Sequence, residues 1–395
     1  MVSTGIPRRG DQRSAPARPL RVGFVTIGDP RKVGFWSGTP YYMARALEEQ
    51  AMEIVGLGPL QAPALPLHKA YAKIRRTFGL PRLSPFHAAP VARQFATDAE
   101  RKISDAEVDM VFAPAGSTFA RGTPPDVPLV YTSDATFKLV ENYHPNYRNL
   151  SRRARIEIDA LERDSISRAD LLLYPTEWAA QSAMEDYGAD PALVHVIPWG
   201  ANLMDAPDRE TALRERAHTG LRLLFVGVDW AEKGAAIAIE ALDCLRAQGI
   251  DARLTICGCS PPHPVDRDGL EIIPFLDKQN PEEMKRLTRL FDESDFFILP
   301  TRADCYGIVF CEAAAYGLPS IAPATGGVPG VVLHGTNGIL VDPDAPGRDY
   351  AAAIAALLAD PGRISRLRES TRNRYEAELN WSAWGQRVGK LMASL

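Results

Sequence analysis

No apolar run in this 395-residue chain approaches the ~20 residues that a helix needs to cross a bilayer. The opening stretch "MVSTGIPRRGDQRSAPARPL" also lacks the apolar centre of a secretory signal, and residues 1–18 read as a disordered basic tail. Cysteine is scarce: Cys244, Cys257, Cys259, Cys305 and Cys311 are odd in number and all lie in the second half. That excludes a disulfide framework. Cys257-Gly-Cys259 has no second pair or histidine cluster to complete a metal site, so the thiols are read as buried and reduced, in a cytoplasmic protein. Charge of one sign is lacking too. A net charge of −4 gives no whole-chain ground for binding nucleic acid or an anionic surface. The first strand-turn has no G-x-G-x-x-G and no acid follows the second strand in the usual place, which argues against a dinucleotide-dependent oxidoreductase.

What is present is a soluble composition, 46% apolar and 24% charged, in a chain long enough for two domains. "LRVGFVTIGD", "MEIVGLG", "VDMVFAPAG", "VPLVYTSDAT" and "ADLLLYPT" are strand-like runs apolar on both faces, most of them separated by helical patterns such as "SGTPYYMARALEEQ". That alternation predicts a parallel sheet covered on each side. "HVIPWGANLMDAPDRE" holds a last short strand and then a polar stretch around residue 205, after which the alternation restarts with "LRLLFVGVDW" and continues through "ARLTICG", "LEIIPFL", "DFFILPT" and "PSIAPA". The expected architecture is α/β: two Rossmann-like, doubly wound parallel-sheet domains, residues 19–205 and 206–375, facing an interdomain cleft. Residues 376–395 are expected to form a closing helix.

Two segments of the second half point to phosphate chemistry. "FVGVDWAEKGAAIAIEAL" runs strand, turn at Gly227, Lys233-Gly234, helix; "LPTRADCYGIVFCEAAAYG" repeats strand, turn at Gly307, helix. Each turn would present free backbone N–H groups and the positive end of a helix to a ligand. Lys233 adds a mobile point charge. Glu312 could accept both hydroxyls of a ribose diol, and Asp304, at the start of its loop, lies nearer to whatever the phosphates carry. Each feature has an ordinary structural reading as well. Lysine-glycine is common at helix starts, an early glutamate suits the helix dipole, and Ala313 to Ala315 serve helix–sheet packing. Their conjunction, in order, is more specific than any one of them.

At these residues the chain resembles family 4 of the retaining glycosyltransferases, two-domain enzymes of the GT-B fold that use activated sugar donors. The resemblance runs from about residue 20 to the end. It rests on the acid-x7-acid motif "DCYGIVFCE" continuing into "AAAYGLPSIAPATGGVPGVV", on "ADLLLYPTEWAAQSAMEDYGADPALVHVIPWGAN", on "HGTNGILVDPD" and on "NWSAWGQRVGKLM". It implies transfer of a sugar from a nucleotide-sugar to a hydroxyl acceptor, with retention of configuration. The acceptor would be a glycan, a lipid-linked molecule or a small molecule. No metal and no cofactor beyond the donor are implied. By the same resemblance Lys233 neutralises the diphosphate, Glu312 holds the ribose and Asp304 the sugar hydroxyls. The amides of Gly307, Ile308 and Val309 would meet phosphate and sugar, Gly38 would close over the phosphate from the first domain, and the final helix would cross back onto that domain. Two positions depart from the pattern: Asp304 stands where the family has Glu, and Val228 where it has Arg. They keep open a catalytically weak scaffold that binds nucleotide-sugar or glycan. A phosphorylase or synthase of the same fold, using a sugar phosphate, is the other alternative.

The first half says less about the acceptor. Asp134, in "YTSDATF", either faces the cleft as a catalytic group or serves a turn. His144 and Trp36 are weaker candidates. "LHKAYAKIRRTFGLPRL", residues 67–83, is a basic amphipathic segment: either a solvated face or a peripheral contact with the inner face of a membrane.

Overall fold

The computed structural model describes residues 18–216 and 218–395. The expected tail falls outside these except for Arg18, which donates to Asp109 at 2.7 Å. The first sheet comprises β1 (Arg21–Phe24), β2 (Glu53–Gly56), β3 (Met110–Pro114), β4 (Leu129–Thr132), β5 (Leu171–Tyr174) and β6 (Val194–Val196), all parallel, in the order β2-β1-β3-β4-β5-β6. The central strands MVFAP, LVYT and LLLY are buried at every residue, as expected where helices cover both faces. The second sheet comprises β7 (Leu221–Val226), β8 (Ala252–Cys257), β9 (Leu270–Ile273), β10 (Phe296–Ile298), β11 (Ser320–Pro323) and β12 (Gly338–Val341), also parallel. Its order is β12-β11-β10-β7-β8-β9. This is the α/β architecture expected from the alternation. One strand was not anticipated: β12 lies inside "HGTNGILVDPD", where turn residues crowd a four-residue apolar run.

Strand order reverses between β1 and β3 in one sheet and between β7 and β10 in the other. At such a reversal neighbouring loops leave toward opposite faces and open a crevice at the strands' carboxyl ends. Helix Ala235–Ala247 begins after the β7 turn and helix Ile308–Ala315 after the β10 turn.

A crossing region joins the halves. Asn202 donates to the Ser37 carbonyl at 2.8 Å and to Thr39 Oγ1 at 3.3 Å, and its Oδ1 accepts from Trp381 Nε1 at 3.0 Å. Gly200 lies against the backbone at Trp381, where a Cβ would stand 2.2 Å from the amide nitrogen. Helix Trp381–Met392, capped by the Asn380 side chain, buries Trp381, Trp384, Val388 and Met392 as one stripe. The stripe faces the first domain: Trp381 stacks on Tyr42 at 6.3 Å and Trp384 meets Phe112 edge-on at 6.0 Å. Gly385 allows the approach to helix Thr39–Glu48, since a Cβ there would sit 2.6 Å from the Ala46 oxygen.

Asn202→Ala would leave Trp381 Nε1 and the Ser37 carbonyl without their partner in a buried place. A loss of about 2–3 kcal/mol is expected from urea unfolding.

Candidate active site at the interdomain cleft

A cavity of about 460 Å³ opens between the two sheets' carboxyl ends. Its walls come from residues 33–42 after β1, from Asp134 after β4, from the crossing residues Trp199 and Asn202, and from the turns after β7, β8, β9 and β10. The volume lies within the usual span of small-molecule sites.

The turn after β7 is built by Asp229, whose Oδ1 accepts from the amides of Ala231 at 3.0 Å and Glu232 at 2.8 Å. Gly227 leaves room for Lys233 to fold back, because a Cβ there would lie 2.9 Å from Lys233 Cγ. Gly234, at φ +75°, packs on the end of β10, where a Cβ would meet the Pro300 oxygen at 2.1 Å. Both turns are joined by Arg302 N–H donating to the Glu232 carbonyl at 2.7 Å. Gly307, at φ +81°, caps the helix that carries Glu312.

Two ion pairs hold the charges of this wall. Lys233 Nζ donates to Asp304 Oδ2 at 2.6 Å, with the two side chains 24% and 13% exposed. Lys278 Nζ donates to Glu312 Oε1 at 2.6 Å, and the Glu312 side chain is only 3% exposed. Removing the partner of a buried ion pair is costly, so Lys278 and Glu312 depend on each other. The lip carries two exposed apolar groups, Val228 and Phe275.

The first domain reaches across. Tyr143 Oη accepts from the Asp304 amide at 2.9 Å and meets Thr325 Oγ1 at 3.2 Å. Gly326 makes this contact fit, since a Cβ there would fall 2.3 Å from Tyr143 Oη. Arg148 grips both oxygens of Glu232, at 2.6 and 3.1 Å. Trp36 and Ser37 both adopt left-handed backbone, at φ 44° and 56°, a strain of about 1–2 kcal/mol each. Edge contact between Trp36 and Trp199 at 5.4 Å and the Asn202 bond to Ser37 hold that loop in place.

Asp134, Gly227, Lys233, Asp304, Gly307, Ile308, Val309 and Glu312 all line the one cavity, as does Trp36. Gly38 does not. It is buried at φ +87° as the cap of helix Thr39–Glu48, while its neighbours Ser37 and Thr39 face the cavity along with Trp36. His144 also lies off the lining; its Nδ1 accepts from Asn146 N–H at 3.3 Å. Sequence reasoning missed Lys278, Tyr143 and Arg148. Lys278 follows the strand-like run "LEIIPFL" by two residues, in a polar turn with no motif of its own. The partner of Tyr143 is 161 residues away, and no local pattern announces it.

Asp134 is open to the cavity but withdrawn from bulk water. Burial pushes its carboxyl up from 3.8 to about 7, and the Asp304 charge adds to the rise. A raised carboxyl contributes stability that is fully present below the unfolded value and is lost as pH rises through the folded one. Asparagine does not titrate. The stability advantage of Asp134→Asn over the parent should therefore grow from pH 4 to about 7 and level off above, as measured by urea unfolding across pH.

The family described as Glycosyltransferase Family 4 matches residues 39–204, and that described as Glycosyl transferases group 1 matches residues 220–360. A D-inositol 3-phosphate glycosyltransferase of Corynebacterium glutamicum is 30% identical over 67% of this chain and 66% of its own length. Another of that name, from Xylanimonas cellulosilytica, is 33% identical over 53% of this chain. The chain spans about half of that second relative, 54%. Among solved structures, sucrose-phosphate synthase from Thermosynechococcus elongatus superimposes with a TM-score of 0.68 at 18% identity, covering 95% of this chain and 99% of that one. Anabaena HepE in complex with UDP-glucose gives 0.57 at 14% identity, covering 95% and 100%. The fold is GT-B, and the chain belongs to the group 1, family 4 glycosyltransferases.

Proposed function

We propose that this protein transfers a sugar from a nucleotide-sugar donor to a hydroxyl acceptor with retention of configuration. One observation carries the reading: two lysine–carboxylate pairs share a cavity with two helix N-termini at the reversal point of the second sheet. Lysines and helix amides are suited to a diphosphate, and carboxylates to the hydroxyls on either side of it. In this reading Lys233 stabilises the leaving diphosphate, joined by the amides of Gly307, Ile308 and Val309. Asp304 orients the sugar, and Glu312 receives the ribose. Catalysis is electrostatic stabilisation plus positioning of the acceptor hydroxyl near Asp134, on the face from which the diphosphate leaves. No metal takes part, and retention rests on likeness to the family. UDP-sugars are the first donors to test, since the HepE neighbour holds one. D-inositol 3-phosphate is the first acceptor, after the relatives' name.

Lys233→Ala and Asp304→Asn should each lower turnover about 100-fold with the melting temperature held within a few degrees. EDTA should leave the parent rate unchanged. Full turnover in both variants would defeat the assignment of roles. Tight donor binding without product from any acceptor would favour the scaffold reading.

We also propose a cytoplasmic protein that touches the inner face of a membrane. Helix Leu65–Thr77 has no buried residue, and its apolar stripe points outward: Leu67 is 76% exposed, Tyr71 53%, Ile74 55% and Phe78 76%. From residue 54 to residue 97 the sequence holds no Asp or Glu, while Lys69, Lys73, Arg75 and Arg76 flank the stripe. An acid-free apolar face with basic margins suits an anionic bilayer. Among the described residues no helix is long and apolar enough to cross one. The full chain should co-sediment with phosphatidylglycerol vesicles at low salt but not with phosphatidylcholine ones. Leu67→Ser with Phe78→Ser should abolish that binding without changing stability, because both side chains are already exposed. Undiminished binding by the double variant would overturn the proposal.

A further inference from the structure

The cavity's lining offers no unpaired cation. Among its lining residues only Lys233 and Lys278 are basic, and each is tied to an acid at 2.6 Å. A bound diphosphate would bring about two negative charges, which one lysine cannot match. Position 228, on the same wall, offers only an exposed valine.

Lys278 is well placed to supply the second charge. It sits on a turn fixed from three sides: Asp277 N–H donates to Glu283 at 2.6 Å, Gln279 N–H donates to Asp277 Oδ1 at 2.9 Å, and Asn280 caps helix Pro281–Glu293. Its backbone is therefore anchored, while its side chain, 36% exposed, lines the cavity. Glu312 stands four residues beyond Ile308, a helix rise of about 6 Å, so the carboxylate that holds the ammonium belongs to the same helix whose first amides would face phosphate. A lysine's four side-chain torsions cover that distance. We infer that Lys278 is a placeholder: it occupies the diol-accepting carboxylate of Glu312 while the site is empty, and passes to the diphosphate when a nucleotide enters.

The exchange is chemically complementary. Ribose hydroxyls donate to the Glu312 carboxylate in place of the ammonium, and the ammonium then donates to phosphate oxygens. Neither half proceeds well alone. Glu312 is too buried to remain unpaired, so Lys278 leaves only as the diol arrives. Coupling the two steps makes a nucleotide with both ribose and diphosphate the ligand that satisfies every charge. This inference rests on reading the cavity as a nucleotide-sugar site.

Calorimetric titration of the full chain with UDP, GDP and ADP, with the nucleoside of whichever binds, and with inorganic pyrophosphate tests it. Lys278→Gln keeps a donor for Glu312 and removes the charge. It should weaken the nucleoside diphosphate about tenfold and leave the nucleoside and pyrophosphate within about twofold, since pyrophosphate brings no diol to release Lys278. Lys278→Arg should restore most of the diphosphate affinity. Glu312→Gln should do the opposite of Lys278→Gln, weakening the nucleoside while pyrophosphate tightens around a freed Lys278. Equal loss of nucleoside and diphosphate in Lys278→Gln would make Lys278 a mere prop for Glu312 and overturn the inference. So would unchanged nucleoside diphosphate binding. Should Lys278→Gln fail to fold, pyrophosphate binding to Glu312→Gln decides, and no gain there overturns it. If the parent binds none of the three nucleotides, the donor-site reading falls first and the inference with it.

Discussion

Nearly all of the candidate chemistry depends on where one short loop is held. Asp304 follows β10 by six residues, and its position is set by neighbours from both halves of the chain. Its amide donates to Tyr143 Oη, its carboxylate takes Lys233, and its carbonyl accepts from Gly327 N–H at 3.1 Å. Gly326 and Gly327 exist at this point because a side chain on either would collide with the loop: a Cβ on Gly327 would stand 1.8 Å from the Cys305 oxygen. The "TGGVPG" stretch thus has its physical reason here, in the space the acid's loop and a tyrosine of the other domain require.

The same dependence extends to the domain arrangement. Tyr143 reaches Asp304 only while the two sheets face each other at this separation, and the crossing at Gly200, Asn202 and Trp381 sets that separation. Burial of Trp381 and Trp384 against the first domain supplies the adhesion, since aromatic side chains carry the largest apolar area per residue. Directional bonds from Asn202 then fix the angle, because a buried polar group tolerates few geometries. Adhesion is non-directional and orientation is not, so the crossing needs both.

What the sequence made legible follows from this division. Strands apolar on both faces and glycine turns before helices are local patterns, and they led to both sheets and to the clustering of Lys233, Asp304, Gly307 and Glu312 around one cavity. Partners that act across the cleft left no local signature. Tyr143 and Arg148 sit in "ENYHPNYR", a loop with no periodicity, and their value arises only when Asp304 and Glu232 are brought opposite them. Lys278 was hidden for a different reason. A lysine between Asp and Gln just before a helix looks like surface charge until the carboxylate it neutralises is found buried. Gly38 is placed differently: its glycine loop faces the cleft, and the left-handed turn takes up the glycine while its neighbours form the lining.

One mechanical link joins the outward helix to the cleft. Beyond helix Leu65–Thr77 the chain reaches Arg82, whose amide donates to the Asn149 carbonyl and whose carbonyl accepts from Ser151 N–H, both at 2.8 Å. Its guanidinium also donates to the Pro145 oxygen at 2.7 Å. The loop thus held from behind at residues 145–151 carries Tyr143 and Arg148 forward onto Asp304 and Glu232. Short hydrogen bonds on both sides leave this loop little freedom to move without either releasing Arg82 or shifting the Asp304 backbone. The outward helix and the Asp304 loop are thus joined through one hydrogen-bonded segment, which no local sequence pattern announces.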